Sequence, residues 1–255
     1  MLFVCNGAPK SGTTWLTQFF KFQPSWVQPT PAEMNDPTWV NPRLLMKYLS
    51  NLEDYDFYKH NHFYTKVHTL GHDWAMALLS MPEVRVMSIV RDVRDQFVSR
   101  YYHDIKEKEI SKETTFDQYF ESHLEMRMEY VLSYSDFWYG TPGLGPVTTS
   151  YEYLQADVDR ALTNFVQSLK LPASAPFDIE LVKKKTNFKK FKVTGEGAFM
   201  RKGQVGDHRN HMSQAQVDKL EGLLRSGGYG KMKRAIVTLH PYLEPTLAQT
   251  DVGLD

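Results

Sequence analysis

Apolar residues along the chain alternate between short continuous runs and helical spacings. Leu2–Cys5 is a run that stops at Gly7 and Pro9, and residues 13–22 then place Trp15, Leu16, Phe19, Phe20 and Phe22 at helical intervals. This predicts a strand, a glycine-containing loop and a helix. Pro24, Pro29, Pro31, Pro37 and Pro42 interrupt every longer pattern, so residues 23–42 read as loop, followed by a short helix over 42–52. Phe63–Val67 and Arg85–Val90 are rich in β-branched and aromatic residues and flank a helical stretch over 74–79. Strand, helix, strand is the order of a parallel sheet. Further helices are expected over 92–103, 116–138, 153–171, 178–185 and 214–224, with a strand over 146–150. Between 153 and 171, Leu154, Val158, Leu162, Phe165, Val166 and Leu169 share one face. The expected fold is α/β, a single domain over 1–255 with a central parallel β-sheet flanked by helices.

Apolar types make up 42% of the 255 residues, enough for one large core without disulfides. Lys plus Arg number 30 and Asp plus Glu number 30, a balance that removes any global electrostatic case for nucleic acid or an anionic membrane as partner. The single cysteine, Cys5, rules out an internal disulfide and a cysteine-rich zinc site and suits a reducing compartment. Asn6 and Gly7 end the first apolar run before a signal-peptide core forms, and no stretch approaches the ~20 apolar residues of a membrane helix. A cytoplasmic location is expected.

Gly7-Ala8-Pro9-Lys10-Ser11-Gly12-Thr13-Thr14 follows an expected strand and opens an expected helix, the setting in which backbone N–H groups and a helix N-terminus hold phosphate. The spacing of Gly7 and Gly12 matches an NTPase phosphate loop. In that loop Lys follows the second glycine, whereas here Thr13 stands there and Lys10 lies inside the loop. A lysine in that place points to a phosphate-like group whose leaving oxygen needs a positive charge nearby, rather than to a γ-phosphate held with Mg²⁺. A purely structural turn before a helix is the alternative.

Pro9-Lys10-Ser11-Gly12-Thr13-Thr14-Trp15-Leu16 resembles the 5′-phosphosulfate loop of the cytosolic-type sulfotransferases, which use 3′-phosphoadenosine 5′-phosphosulfate (PAPS). Val90-Arg91-Asp92-Val93-Arg94-Asp95-Gln96-Phe97-Val98-Ser99 is similar to that family's 3′-phosphate segment, and the resemblance implies that Arg91 and Ser99 bind the phosphate. An Arg91/Asp95 surface pair is the alternative. Phe199-Met200-Arg201-Lys202-Gly203-Gln204-Val205-Gly206-Asp207 resembles the family's late Arg-Lys-Gly segment, implying that Arg201, Lys202 and Gly203 close over the same phosphate. Tyr151-Glu152 resembles a Tyr-Glu element near the adenine. Thr186-Asn187-Phe188 is similar to the family's Thr-Ser-Phe, with Trp15 and Phe188 placed to sandwich the purine. After Gly206-Asp207 the family has Trp-Lys, but here His208-Arg209 follow, so neither is given a cofactor role. The animal enzymes' dimerisation pattern survives only in charge and hydroxyl character at Arg209, Ser213, Gln214 and Asp218, leaving a monomer or weak homodimer.

Lys66-Val67-His68 resembles the family's Lys-x-His segment, which makes His68 the candidate general base, with Lys10 stabilising the sulfuryl group and leaving oxygen and Lys66 assisting. Its ordinary pKa of about 6.5 lets a neutral imidazole take an acceptor proton near neutral pH. His68 and His72 also have the spacing of helical metal ligands, but His68 ends a strand and no Glu accompanies the pair, so no metal is expected. Trp26, Trp39, Tyr48, Tyr55, Phe57 and Tyr58 lie with Glu33, Asp36, Glu53, Asp54 and Asp56 in residues 23–62, the composition of an acceptor-side insertion for a small molecule of aromatic or cationic character, or of loops packed over a core. Residues 183–209 hold nine Lys or Arg against Glu196 and Asp207, a basic stretch suited to covering a highly phosphorylated cofactor. A sulfotransferase thus competes with a phosphate-loop kinase and with a non-catalytic nucleotide-binding protein.

Overall fold

A computed structural model of the chain describes residues 1–24, 62–68, 76, 79–82, 84–140, 146–186 and 203–226. The strands are β1 (Leu2–Asn6), β2 (Phe63–Val67), β3 (Val84–Val90) and β4 (Val147–Ser150). The helices are α1 (Thr13–Lys21), α2 (Val93–Lys106), α3 (Phe116–Gly140), α4 (Tyr151–Ala156), α5 (Val158–Leu169), α6 (Ile179–Lys185) and α7 (Gln214–Ser226), with a 3₁₀ turn at Asp207–Asn210.

The strands form one sheet in the order β2-β1-β3-β4, every pairing parallel, as the strand-helix-strand order predicts. β1 is apolar without alternation because both of its faces are covered. Phe3 and Cys5 enter a cluster with Trp15, Leu16, Phe19 and Phe20 of α1 and Leu162, Phe165 and Leu169 of α5. Leu2 and Val4 join Tyr134 and Trp138 of α3 on the other side. Each fully buried Leu or Phe of these clusters contributes about 1.5–3 kcal/mol. The chain runs from β1 outward to β2 and returns across β1 to β3. The C-terminal ends of β1 and β3 are therefore a topological switch point, where a ligand crevice opens in sheets of this kind.

The single helix expected over 153–171 is two helices. Ser150 caps α4 by accepting from the Tyr153 N–H at 3.0 Å, and Asp157 caps α5 by accepting from the Arg160 N–H at 3.0 Å. Apolar spacing passes through the break because Leu154 and Leu162 reach the same core cluster. Tyr151 and Glu152 consequently lie in the first turn of α4, and α5 ends at Leu169, where Lys170 takes a left-handed φ of 48°. Met76 and Leu79 are helical, as expected for 74–79. The helix expected over 42–52 lies outside the described residues. No described helix is long and apolar enough to cross a membrane.

Candidate active site

The loop from Gly7 to Gly12 leaves the C-terminal end of β1, and four successive carbonyls in it accept hydrogen bonds. Gly7 O accepts from His68 Nδ1 (2.7 Å), Ala8 O from the Ser11 N–H (3.1 Å), Pro9 O from Gln96 Nε2 (2.7 Å) and Lys10 O from Arg91 Nη1 (3.4 Å). A loop whose carbonyl oxygens are engaged presents N–H dipoles rather than lone pairs to an anion. Lys10 sits at φ 72° and Gly12 at φ 112°. Left-handed backbone costs a non-glycine residue about 1 kcal/mol, so the four bonds hold Lys10 in a conformation it would otherwise leave. A Cβ on Gly12 would lie 3.0 Å from Ile89 Cδ1 and 3.1 Å from Tyr151 Cδ2, and Gly12 also begins α1 without a capping side chain. The first-turn N–H groups of α1 are left uncapped by it.

Positive charge accumulates around this loop. Burial, foremost, and the charges of Arg100, Lys66, Arg91 and Lys106 push the Lys10 ammonium down to about 8. Lys66 Nζ donates to Thr14 Oγ1 at 3.4 Å, tying the end of β2 to α1. Burial, then the Lys66, Lys10 and Arg100 charges, push the His68 imidazole down to about 4 against the opposing effect of its bond to Gly7. A carbonyl only accepts, so His68 Nδ1 carries the hydrogen and the lone pair of the neutral ring is on Nε2.

The second rim is built on β3 and α4. The Arg91 guanidinium lies 4.3 Å from the centroid of the Tyr151 ring, whose face it covers. Tyr151 in turn meets Trp15 edge-on at 5.4 Å. The Asp92 N–H donates to Glu152 Oε1 at 2.9 Å, and burial pushes this carboxyl up to about 7. Ser99 lies part-buried on α2, six residues after its start. Thr186 is buried at the end of α6, its hydroxyl donating to Val182 O at 2.8 Å.

Asp95 does not form a surface pair with Arg91. It is 1% exposed and accepts from the Gly206 N–H (2.6 Å), the His208 N–H (2.8 Å) and His208 Nδ1 (2.9 Å). Burial raises its pKa, but these three bonds and the Arg91 charge outweigh burial and hold the carboxyl below its ordinary value.

Contacts thus bring together Lys10, Gly12, Thr14, Lys66, His68, Arg91 and Tyr151, with Ser11 and Thr13 in the same loop and helix start. Trp15 is 4% exposed, with its ring packed in the core against Phe19 and Tyr151. Gly203, at φ 66°, opens the described segment that follows Arg201 and Lys202. Asn187, Phe188, Arg201, Lys202 and His72 lie outside the described residues, as do residues 25–61 of the acceptor-side stretch. The sequence reading missed Gln96 and Asp95. Both fall in the buried stripe of α2 with Val93, Phe97 and Val98, and polar residues inside such a stripe are the one local signal that they hold something.

The site's fit to a ligand with two anionic groups is visible in its loose ends. Ser11 Oγ and Arg91 Nε are buried and have no hydrogen-bond partner among the described residues, a condition that costs free energy until a ligand or water satisfies them. One anion suits the loop, Lys10 and the α1 terminus; a second suits Arg91.

The chain has relatives in sequence and in fold. The 3-beta-hydroxysteroid sulfotransferase of Cavia porcellus is 28% identical over 235 residues, 84% of this chain and 78% of that protein. Sulfotransferase 2A1 of Macaca fascicularis is 26% identical over 240 residues, 85% and 80% of the two chains. Two solved structures share the fold. Mouse sulfotransferase SULT7A1 complexed with PAP superposes with a TM-score of 0.64 at 18% identity, covering 91% of this chain and 88% of that one. Retinol dehydratase in complex with androsterone and inactive cofactor PAP has a TM-score of 0.57 at 18% identity, covering 88% and 79%. The sulfotransferase domain family matches residues 3–235, from within β1 to beyond α7, so this chain belongs to that family and is a sulfotransferase.

Proposed function

We propose that the enzyme moves the sulfuryl group of PAPS to a hydroxyl or amine of a small-molecule acceptor and releases 3′-phosphoadenosine 5′-phosphate (PAP). The observation that carries this reading is the bond from Arg91 to the Lys10 carbonyl, which sets a second cation, suited to a second anionic group, beside the loop and its lysine. A γ-phosphate needs only the loop and its lysine.

PAPS brings the activated sulfuryl group and, as it departs, the 5′-phosphate oxygen that gains negative charge. Lys10 and the N–H groups of the loop and α1 stabilise that charge where it forms, in a site that burial has already made costly for a lone ammonium. Ser11, Gly12, Thr13 and Thr14 hold the phosphosulfate, and Lys66, fastened to Thr14, adds charge at the transferring group. His68 Nε2 accepts the acceptor's proton as the new bond forms. Burial is the main depressor of the imidazole, and the anionic phosphosulfate offsets the Lys66, Lys10 and Arg100 charges that add to it, so binding the donor removes that part of the depression. Arg91 and Ser99 hold the 3′-phosphate with Arg201, Lys202 and Gly203, while Tyr151, Trp15, Thr186, Asn187 and Phe188 frame the adenine. Lys183 serves elsewhere, since it pairs with Asp159 and Glu180 at 2.5 Å.

The acceptor is apolar or aromatic. A cavity of about 320 Å³ opens beside Pro9, lined by Val93, Phe97, Met126, Met128, Tyr130 and Val131, with Gln96, Arg100 and Arg127 at its polar points. Arg100 and Arg127 are already paired with Asp104 and Glu109, so the cavity offers a bound molecule mainly its apolar lining, and the hydroxysteroid named for the Cavia porcellus relative supports an apolar body. Calorimetry tests the donor reading. PAP is expected to bind at micromolar concentration or tighter without Mg²⁺; binding of ATP with Mg²⁺ in preference to PAP would assign the site to a kinase.

A further inference from the structure

We infer that Asp95 is a positioning residue for the donor: it latches the segment 203–210 onto α2 beside Arg91, and so sets where the chain that follows Arg201 and Lys202 lies. The inference rests on the reading that Arg201, Lys202 and Gly203 cover the 3′-phosphate.

Asp95 stands four residues after Arg91 and four before Ser99, so on α2 it shares a column with Ser99. The segment it holds arrives from 111 and 113 residues further along the chain. Both carboxylate oxygens are used: Oδ2 accepts from Gly206, and Oδ1 accepts from the backbone and the ring of His208. Gly206 reaches its bond with a left-handed φ of 77°, and the 3₁₀ turn that follows buries Asp207 and His208. A buried carboxylate is costly unless fully paired. Here its partners are all donors, and they come from the segment next to the expected phosphate cover rather than from α2's own neighbours. The ring bond comes from His208, which stands where the resemblance places Trp.

Asp95→Asn tests the latch, because an amide turns an N–H toward a backbone N–H at Gly206 or His208 and loses at least one bond. The expected result is a rise of at least tenfold in the KM for PAPS and in the Kd for PAP, with kcat at saturating PAPS and the acceptor KM within threefold of wild type. In wild type, PAP is expected to slow amide hydrogen exchange over 203–210, and in the variant that protection is expected to be lost. A second variant, His208→Phe, keeps both backbone bonds and removes the ring bond, and a smaller rise in PAPS KM with unchanged kcat is expected. It carries the test alone if Asp95→Asn does not fold. Unchanged PAPS KM in the folded variants, or equal losses in kcat, acceptor affinity and donor affinity, overturns the inference. Wild-type protein that binds PAP without protection over 203–210 also overturns it, while leaving the donor reading standing. Wild-type protein that does not bind PAP removes the donor reading itself.

Discussion

His68 Nδ1 donates to the carbonyl of Gly7 at 2.7 Å, so the residue that follows β2 is oriented by the residue that follows β1. One hydrogen bond fixes both the tautomer and the direction of the ring. It also links the candidate base to the loop proposed to hold the leaving group.

Replacing His68 by Ala is expected to lower turnover by ~10²–10⁴ while the Kd for PAP, measured by calorimetry, stays within a few-fold of wild type. The variant's pH dependence of stability changes as well. With a folded pKa near 4 and an unfolded value near 6.5, the unfolded chain binds the extra proton between those values, and stability is lost as pH falls from 6.5 to 4. Urea melts across that window should show a shallower loss in His68→Ala. Normal turnover in the variant removes His68 from the chemistry.

Lys10→Met is expected to lower kcat and weaken PAP binding together, since one ammonium serves both. The unliganded protein behaves oppositely. The folded pKa of about 8 lies below the unfolded value near 10.4, so wild-type stability rises as pH climbs through that window. The Met variant should melt at or above wild type at pH 7, by on the order of 1–3 kcal/mol, and the gap should close by pH 10. A less stable variant at pH 7 would show that the buried ammonium is already compensated.

Gly12→Ala places a Cβ at φ 112° within 3.1 Å of Ile89 and Tyr151, and a loss of about 1–3 kcal/mol is expected with loss of PAP binding. Gly222→Ala on α7, where an added Cβ meets nothing within 4 Å, is the control and should gain up to about 1 kcal/mol. Equal effects at the two positions would contradict the loop geometry.

Glu152→Gln keeps an acceptor for the Asp92 N–H and removes a titrating group. The folded pKa of about 7 lies above the unfolded value near 4.3, so the folded state holds the extra proton between them and this contribution to stability is lost as pH rises from 4.3 to 7. Relative to the Gln variant, wild type should weaken by about 4 kcal/mol across that range. Parallel stability curves for the two proteins would place the carboxyl's titration elsewhere.

The fold and the loop were legible because they depend on neighbours in sequence. The run Leu2–Cys5, the glycines at 7 and 12 and the apolar face of α1 are local patterns, and each became the element they imply. Arg91, singled out by the resemblance, does follow β3, and the fold brings it to the Lys10 carbonyl and the Tyr151 ring. The break at Asp157 was not, because an N-cap inside an apolar period leaves the period intact. Asp95 and Gln96 were missed because their partners, Gly206, His208 and Pro9, lie 87 to 113 residues away. A charge looks solvated until the fold brings its donors to it.

The most direct measurement is transfer of labelled sulfuryl from PAPS to a panel of small phenols, alcohols, amines and saccharides, run with wild type, Lys10→Met and His68→Ala. Wild type is expected to label at least one acceptor, most readily an apolar or aromatic alcohol, with one PAP released per product. Both variants should fall by ~10² or more. No transfer by folded wild type to any acceptor, or transfer that neither substitution slows, would contradict the assignment of this crevice to sulfuryl transfer.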